Sequence, residues 1–86
     1  MRTGDGRYEP FLRLIKRGST DGRNFVKKAV NWALRGIGKR NRRLNRRAIA
    51  VAKEIARIDS TAARWIAADA LRELRNPAIR LRLQGR

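Results

Sequence analysis

Cysteine and histidine are both absent from this chain of 86 residues. Their absence excludes a disulfide framework, a thiolate nucleophile, zinc ligation of the usual kind and an imidazole proton shuttle. Nothing therefore argues for an oxidising compartment. Acidic residues are scarce too: 7 Asp and Glu stand against 23 Lys and Arg, a formal charge of +16. No apolar run approaches the ~20 residues of a membrane span. The opening MRTGDGRYEP has no apolar stretch of the secretory type. The length leaves room for one domain.

What the chain does have is arginine, 18 against 5 lysines. A guanidinium binds phosphate bidentately and stacks on bases. So large a charge on a small body opposes its own compaction. A polyanion that neutralises it is the expected partner, nucleic acid first. An anionic membrane surface and an acidic protein are the other takers for such charge.

Apolar residues make up 42% of the chain, enough for a core, and they recur at helical spacing. Residues 1–7 hold two glycines and no pattern and read as a flexible end, which leaves 8–86 as a single helical-repeat domain. Tyr8 to Lys16 forms a first short helix, with Gly18 as its stop. Phe25, Val26, Ala29, Val30, Ala33, Leu34 and Ile37 mark a second helix that Gly38 ends. A basic loop over 39–43 follows, and a third helix starts between Asn41 and Asn45 with Leu44, Ala48, Val51, Ala52, Ile55 and Ile58 inward. Ser60 and Thr61 cap a fourth helix, 62–75, that turns Ala62, Ile66, Ala70, Leu71 and Leu74 inward. Asn76-Pro77 reads as an N-cap with proline at the first helical position of a last helix, 78–83.

No segment alternates with period two, so the expected fold is all-α, four to five antiparallel helices joined by short loops. Successive helix pairs lie close to the ~40-residue period of HEAT-type repeats. A compact bundle of the same helices fits the pattern as well.

Two constellations bear on function. On a helical wheel Lys28, Trp32, Arg35 and Lys39 fall within about 60° of one another, with Asn24 and Asn31 beside them. An aromatic among cations and amides suits contact with phosphate and sugar. Packing of Trp32 on a neighbouring helix suits it equally. The second is KRNRRLNRR, residues 39–47, with six cations and no acid. There Lys39, Arg40, Arg42, Arg43, Arg46 and Arg47 can follow one phosphate backbone. Trp65 and Asp69 share a face of the fourth helix with Arg72, and an Asp so placed is expected to pair with a nearby Arg. The other acids show no spacing for a carboxylate pair, Ser60 and Thr61 have no base to activate them, and no metal or cofactor site is expected.

The run Asn24-Phe25-Val26-Lys27-Lys28-Ala29-Val30-Asn31-Trp32-Ala33-Leu34-Arg35, continuing Gly36-Ile37-Gly38-Lys39-Arg40-Asn41, resembles a segment of the bacterial DNA alkylation repair proteins. The run Ala63-Arg64-Trp65-Ile66-Ala67-Ala68-Asp69-Ala70-Leu71-Arg72-Glu73-Leu74 resembles the same family's C-terminal helices. These are HEAT-like repeat proteins that include alkylpurine DNA glycosylases. The resemblance spans about residues 11–83 and implies an α-solenoid fragment with a basic concave face for duplex DNA. It implies that Trp32 corresponds to an aromatic that contacts the lesion nucleotide. It also implies that Lys28, Arg35, Lys39 and Arg40 lie near DNA. The family's catalytic aspartate belongs to an earlier segment, so no catalytic residue is assigned here and Asp69 is not its equivalent.

The expectation is a DNA-binding HEAT-like module, not catalytically competent alone, in the bacterial cytoplasm at the nucleoid. The alternative is a helical scaffold that binds protein through the face left by missing repeats. A homodimer through the first helix belongs with that alternative, because Tyr8, Phe11, Leu12, Leu14 and Ile15 cannot all face inward.

Overall fold

Local signals set three of the five helix starts. In a computed structural model that describes residues 6–84, five helices form in chain order: α1 (Glu9–Gly18), α2 (Asn24–Gly38), α3 (Arg42–Ala56), α4 (Thr61–Leu74) and α5 (Pro77–Gln84). Asn41 caps α3 by accepting from the Leu44 amide at 2.8 Å, and Ser60 caps α4 by accepting from the Ala63 amide at 3.2 Å. Asn76 accepts from the Ala78 amide at 2.8 Å with Pro77 opening α5. Residues 1–5 of the expected flexible end, and the last two residues, lie outside the described residues.

The connection between α2 and α3 is shorter than expected. Lys39 already follows the last residue of α2 and Asn41 is already the cap of α3. Arg42 and Arg43 are therefore helical. The cap bond decides this, because it fixes the helix start three residues before Leu44.

The helices stack at a constant step. Arg47 reaches Glu9, Lys16 reaches Glu54 and Asn31 reaches Asp69, each across 38 residues. The Lys27 ammonium lies over the Trp65 ring, 4.8 Å from its centroid, at the same separation. Pairs that advance together along both helices mean that α1 runs parallel to α3, and α2 parallel to α4. Neighbours in sequence run antiparallel: Asn45, near the start of α3, donates to the Gly38 carbonyl at 3.1 Å and the Leu74 carbonyl at 3.2 Å. One buried amide thus ties the C-terminal ends of α2 and α4, whose carbonyls lack partners within their own helices.

Leu12, Ile15, Leu34, Leu44, Ile55, Ile66 and Leu74 fill the core, with alanines 48, 52, 63, 67 and 70 where helices approach closely. Gly38 marks the tightest approach. A Cβ there would intrude on the Leu74 side chain and lie 3.0 Å from the Ala48 Cβ. Packing, not backbone conformation, requires glycine at this position.

On α2 the buried face is narrower than the apolar pattern. Leu34 and Ile37 are buried, whereas Phe25 is 71% exposed and Ala29 and Ala33 face solvent. Asn31, a polar residue, is buried in their place. The reason lies in α4, which offers α2 a carboxylate rather than an apolar side chain at this height. No helix among the described residues is long and apolar enough to cross a membrane.

Candidate nucleic-acid interface

The parallel packing of α2 against α4 creates a polar seam beside Trp32. Asp69 of α4 accepts from the Asn31 amide at 2.6 Å and from Arg35 at 3.2 Å, and pairs with Arg72 of its own helix. One turn on, Glu73 accepts from Lys39 at 2.7 Å and lies 3.5 Å from Arg35. Asp69 is held below the usual carboxylate range, first by the Asn31 amide, against the opposing effect of burial, with the Arg72 and Arg35 charges adding to the shift. Glu73 is lowered in the same way, first by Lys39. Asp69 therefore sits in a charge-paired position, as its expected pairing with arginine requires. The cross-helix partners Asn31 and Glu73 were not visible on a wheel of either helix alone.

Trp32 stands outside this seam. Its side chain is 75% exposed, so it is not a core residue. It borders Arg35, Gly36 and Lys39 on one side. On the other it borders an apolar groove formed with α1. Exposed Lys28 lies one turn before it on the same face.

The nine expected interface residues divide by what they touch. Lys28, Trp32, Arg35 and Lys39 form one row along α2, in which Arg35 and Lys39 are engaged by α4 carboxylates and Lys28 is not. Arg40 lies over the Tyr8 ring, 5.1 Å from its centroid, and Arg47 grips Glu9 with two bonds of 2.9 and 2.8 Å. These two cations fasten α1. Arg43 is exposed. Arg42 and Arg46, one turn apart on α3, share a pocket of about 200 Å³ with Arg80 of α5, a cation the sequence pattern did not single out. Among the described residues no carboxylate lines that pocket.

The charge ledger is one-sided. Each of the six described carboxylates is already ion-paired: Glu9 with Arg47, Asp21 with Arg23, Glu54 with Lys16, Asp59 with Arg64, and Asp69 and Glu73 as above. Arg42, Arg46, Arg80 and Lys28 have no carboxylate partner among the described residues. Among the described residues no cluster of His, Cys, Asp and Glu could hold a metal ion.

Helix pairs stacked at a 38-residue step make this an all-α fold consistent with helical repeats. The sequence model of the DNA alkylation repair enzyme family matches residues 2–75. The chain belongs to that family. No curated protein and no solved structure matches it.

Proposed function

We propose that this chain is a DNA-binding module of HEAT-like repeats that grips duplex DNA through its phosphates and is not catalytically competent alone. The observation that carries the reading is the exhausted set of carboxylates. With all six described acids paired internally, Lys28, Arg42, Arg46 and Arg80 keep their charge for an outside anion. Arg42 opens α3, where a cation is unfavourable against the helix dipole, and Arg46 stands one turn on. A phosphate near that helix start relieves both the dipole and the mutual repulsion of the guanidiniums.

Each residue then has a role. Arg42, Arg46 and Arg80 take phosphate oxygens. Lys28 adds a phosphate contact beside Trp32, whose exposed ring meets sugar or base. Arg35 and Lys39 hold α2 against α4 and orient the row, and they add positive potential at its edge. Asp69 is committed to Asn31, Arg35 and Arg72, so it is not a carboxylate poised to stabilise a sugar cation. Family membership supports a role in repair of alkylated DNA. Binding to duplex DNA across a salt series tests the reading. Incubation of the chain with N7-methylguanine DNA tests its catalytic half, and formation of abasic sites above a protein-free control would overturn that half.

A further inference from the structure

The proposed phosphate contacts leave one apolar groove unexplained. That groove, about 650 Å³, lies between α1 and α2. Its walls are Phe11, Leu14 and Trp32, which are 55%, 59% and 75% exposed. Ile15, Val30 and Ile37 lie deepest in it, and the α2 side is small, with Ala29, Ala33 and Gly36 exposed and nothing within 4 Å of where a Gly36 Cβ would stand. An apolar groove with small residues along one side fits a helix, because small residues let helix axes approach to the lower end of the usual ~8–10 Å. Apolar surface left so open on a small protein marks an interaction site.

The charge around the groove specifies the occupant. Among its lining residues Arg40 is the one ionised side chain, and no carboxylate is present. Lys28 on one side of Trp32, and Arg35 and Lys39 on the other, extend the positive rim. The molecule already shows how a face of α2 is covered. Against its other face α4 packs Ile66 and Ala70 into the core and sets Asp69 and Glu73 against Arg35 and Lys39. A second copy of this chain lacks that chemistry, since its described carboxylates are all engaged and its charge is again +16.

We infer that the α1–α2 groove docks an amphipathic helix of a partner polypeptide, with an apolar stripe flanked by carboxylates. The stripe fills the space over Ala29, Ala33 and Gly36, and the carboxylates meet Arg40 and Lys28. Helix-in-groove recognition of this type places apolar anchors one turn apart. The groove shares Trp32 and Lys28 with the proposed DNA row but not the Arg42–Arg46–Arg80 pocket, so peptide binding is measured in the absence of DNA and its failure leaves the salt-dependent grip of that pocket untouched.

Three labelled peptides of about 18 residues, five helical turns, test this by fluorescence anisotropy. The first carries leucines at helical spacing flanked by glutamates. The second replaces the glutamates by lysines. The third scrambles the first. The expected result is saturable binding of the first alone. Phe11→Gln/Leu14→Gln should weaken it by about tenfold or more, as loss of central anchors does. Leu81→Gln, an exposed apolar residue of α5 outside the groove, should leave it unchanged. Equal binding of the scrambled peptide would reduce the effect to charge, and equal binding of the lysine peptide would reduce it to apolar contact. Either result, or no binding at all, overturns the inference. So does a concentration-dependent dimer in sedimentation that Phe11→Gln/Leu14→Gln abolishes, since a second copy would then be the occupant.

Discussion

The Asn31 amide donates to Asp69 at 2.6 Å across two parallel helices that are 38 residues apart in the chain. This bond places a buried polar residue where the apolar pattern of α2 would put a core side chain, and it turns Trp32, the next residue, out to solvent. Asp69→Ala should destabilise the fold by about 1–3 kcal/mol, because it leaves the buried Asn31 amide without its acceptor and Arg35 with Glu73 as its remaining carboxylate. Urea unfolding of Asp69→Ala, Asn31→Ala and the double variant measures the coupling. Additive losses would mean that the two side chains act separately.

Acid should release the same seam. Asp69 and Glu73 are held below their ordinary values of 3.8 and 4.5, and Glu9 is lowered by Arg47. Groups with depressed values in the fold contribute stability above the unfolded-state value and lose it as pH falls through the folded-state value. The melting temperature should therefore hold from neutrality to about pH 5 and fall progressively below pH 4.5. Asp69→Asn should show a shallower acid decline than the parent chain. Melts followed by circular dichroism across pH 2–7 check this.

Two glycines of α2 should respond in opposite directions. Gly36 has open space around its missing side chain, so Gly36→Ala should stabilise by about 0.5–1 kcal/mol through helix propensity. At Gly38 the added methyl meets Leu74 and Ala48, and Gly38→Ala should cost about 1–3 kcal/mol. Denaturant midpoints of the two variants give the comparison.

Trp32→Ala should leave the melting temperature nearly unchanged, because the side chain is 75% exposed. The same change should weaken DNA binding by about 1–3 kcal/mol if the ring stacks on a base or sugar. A calorimetric melt beside a binding isotherm separates these effects. A loss of stability of about 3–5 kcal/mol, the cost of emptying a core site, would place Trp32 in the core.

Much of the architecture was legible because its signals are local. Ser60 and Asn76-Pro77 announce helix starts by chemistry that acts over two or three residues, whereas the Asn41 cap lies hidden inside a run that reads as a basic loop. The apolar spacing of α3 and α4 matched their buried faces for the same reason. The orientation of α2 was not legible: apolar residues cover more than half its circumference, and only α4 decides which part is buried. The same holds for its cations. A wheel groups Arg35 and Lys39 with Lys28, but their partners Asp69 and Glu73 lie 34 residues on in sequence. Arg80 drew no notice because its proximity to Arg42 and Arg46 exists only after α5 folds back along α3.

The central claim is a phosphate-dominated grip on DNA by cations that the described acids leave unpaired. Its most direct test is the salt dependence of duplex-DNA affinity for the parent chain and for Arg42→Ala/Arg46→Ala. With about 4–6 phosphates neutralised, affinity should fall by roughly two to three decades between about 50 and 200 mM salt, a log–log slope of about −0.9 per phosphate. The double variant should flatten that slope by about two contacts and keep the parent's melting temperature. A slope near zero in the parent chain, or one that the double variant leaves unchanged, would contradict the account.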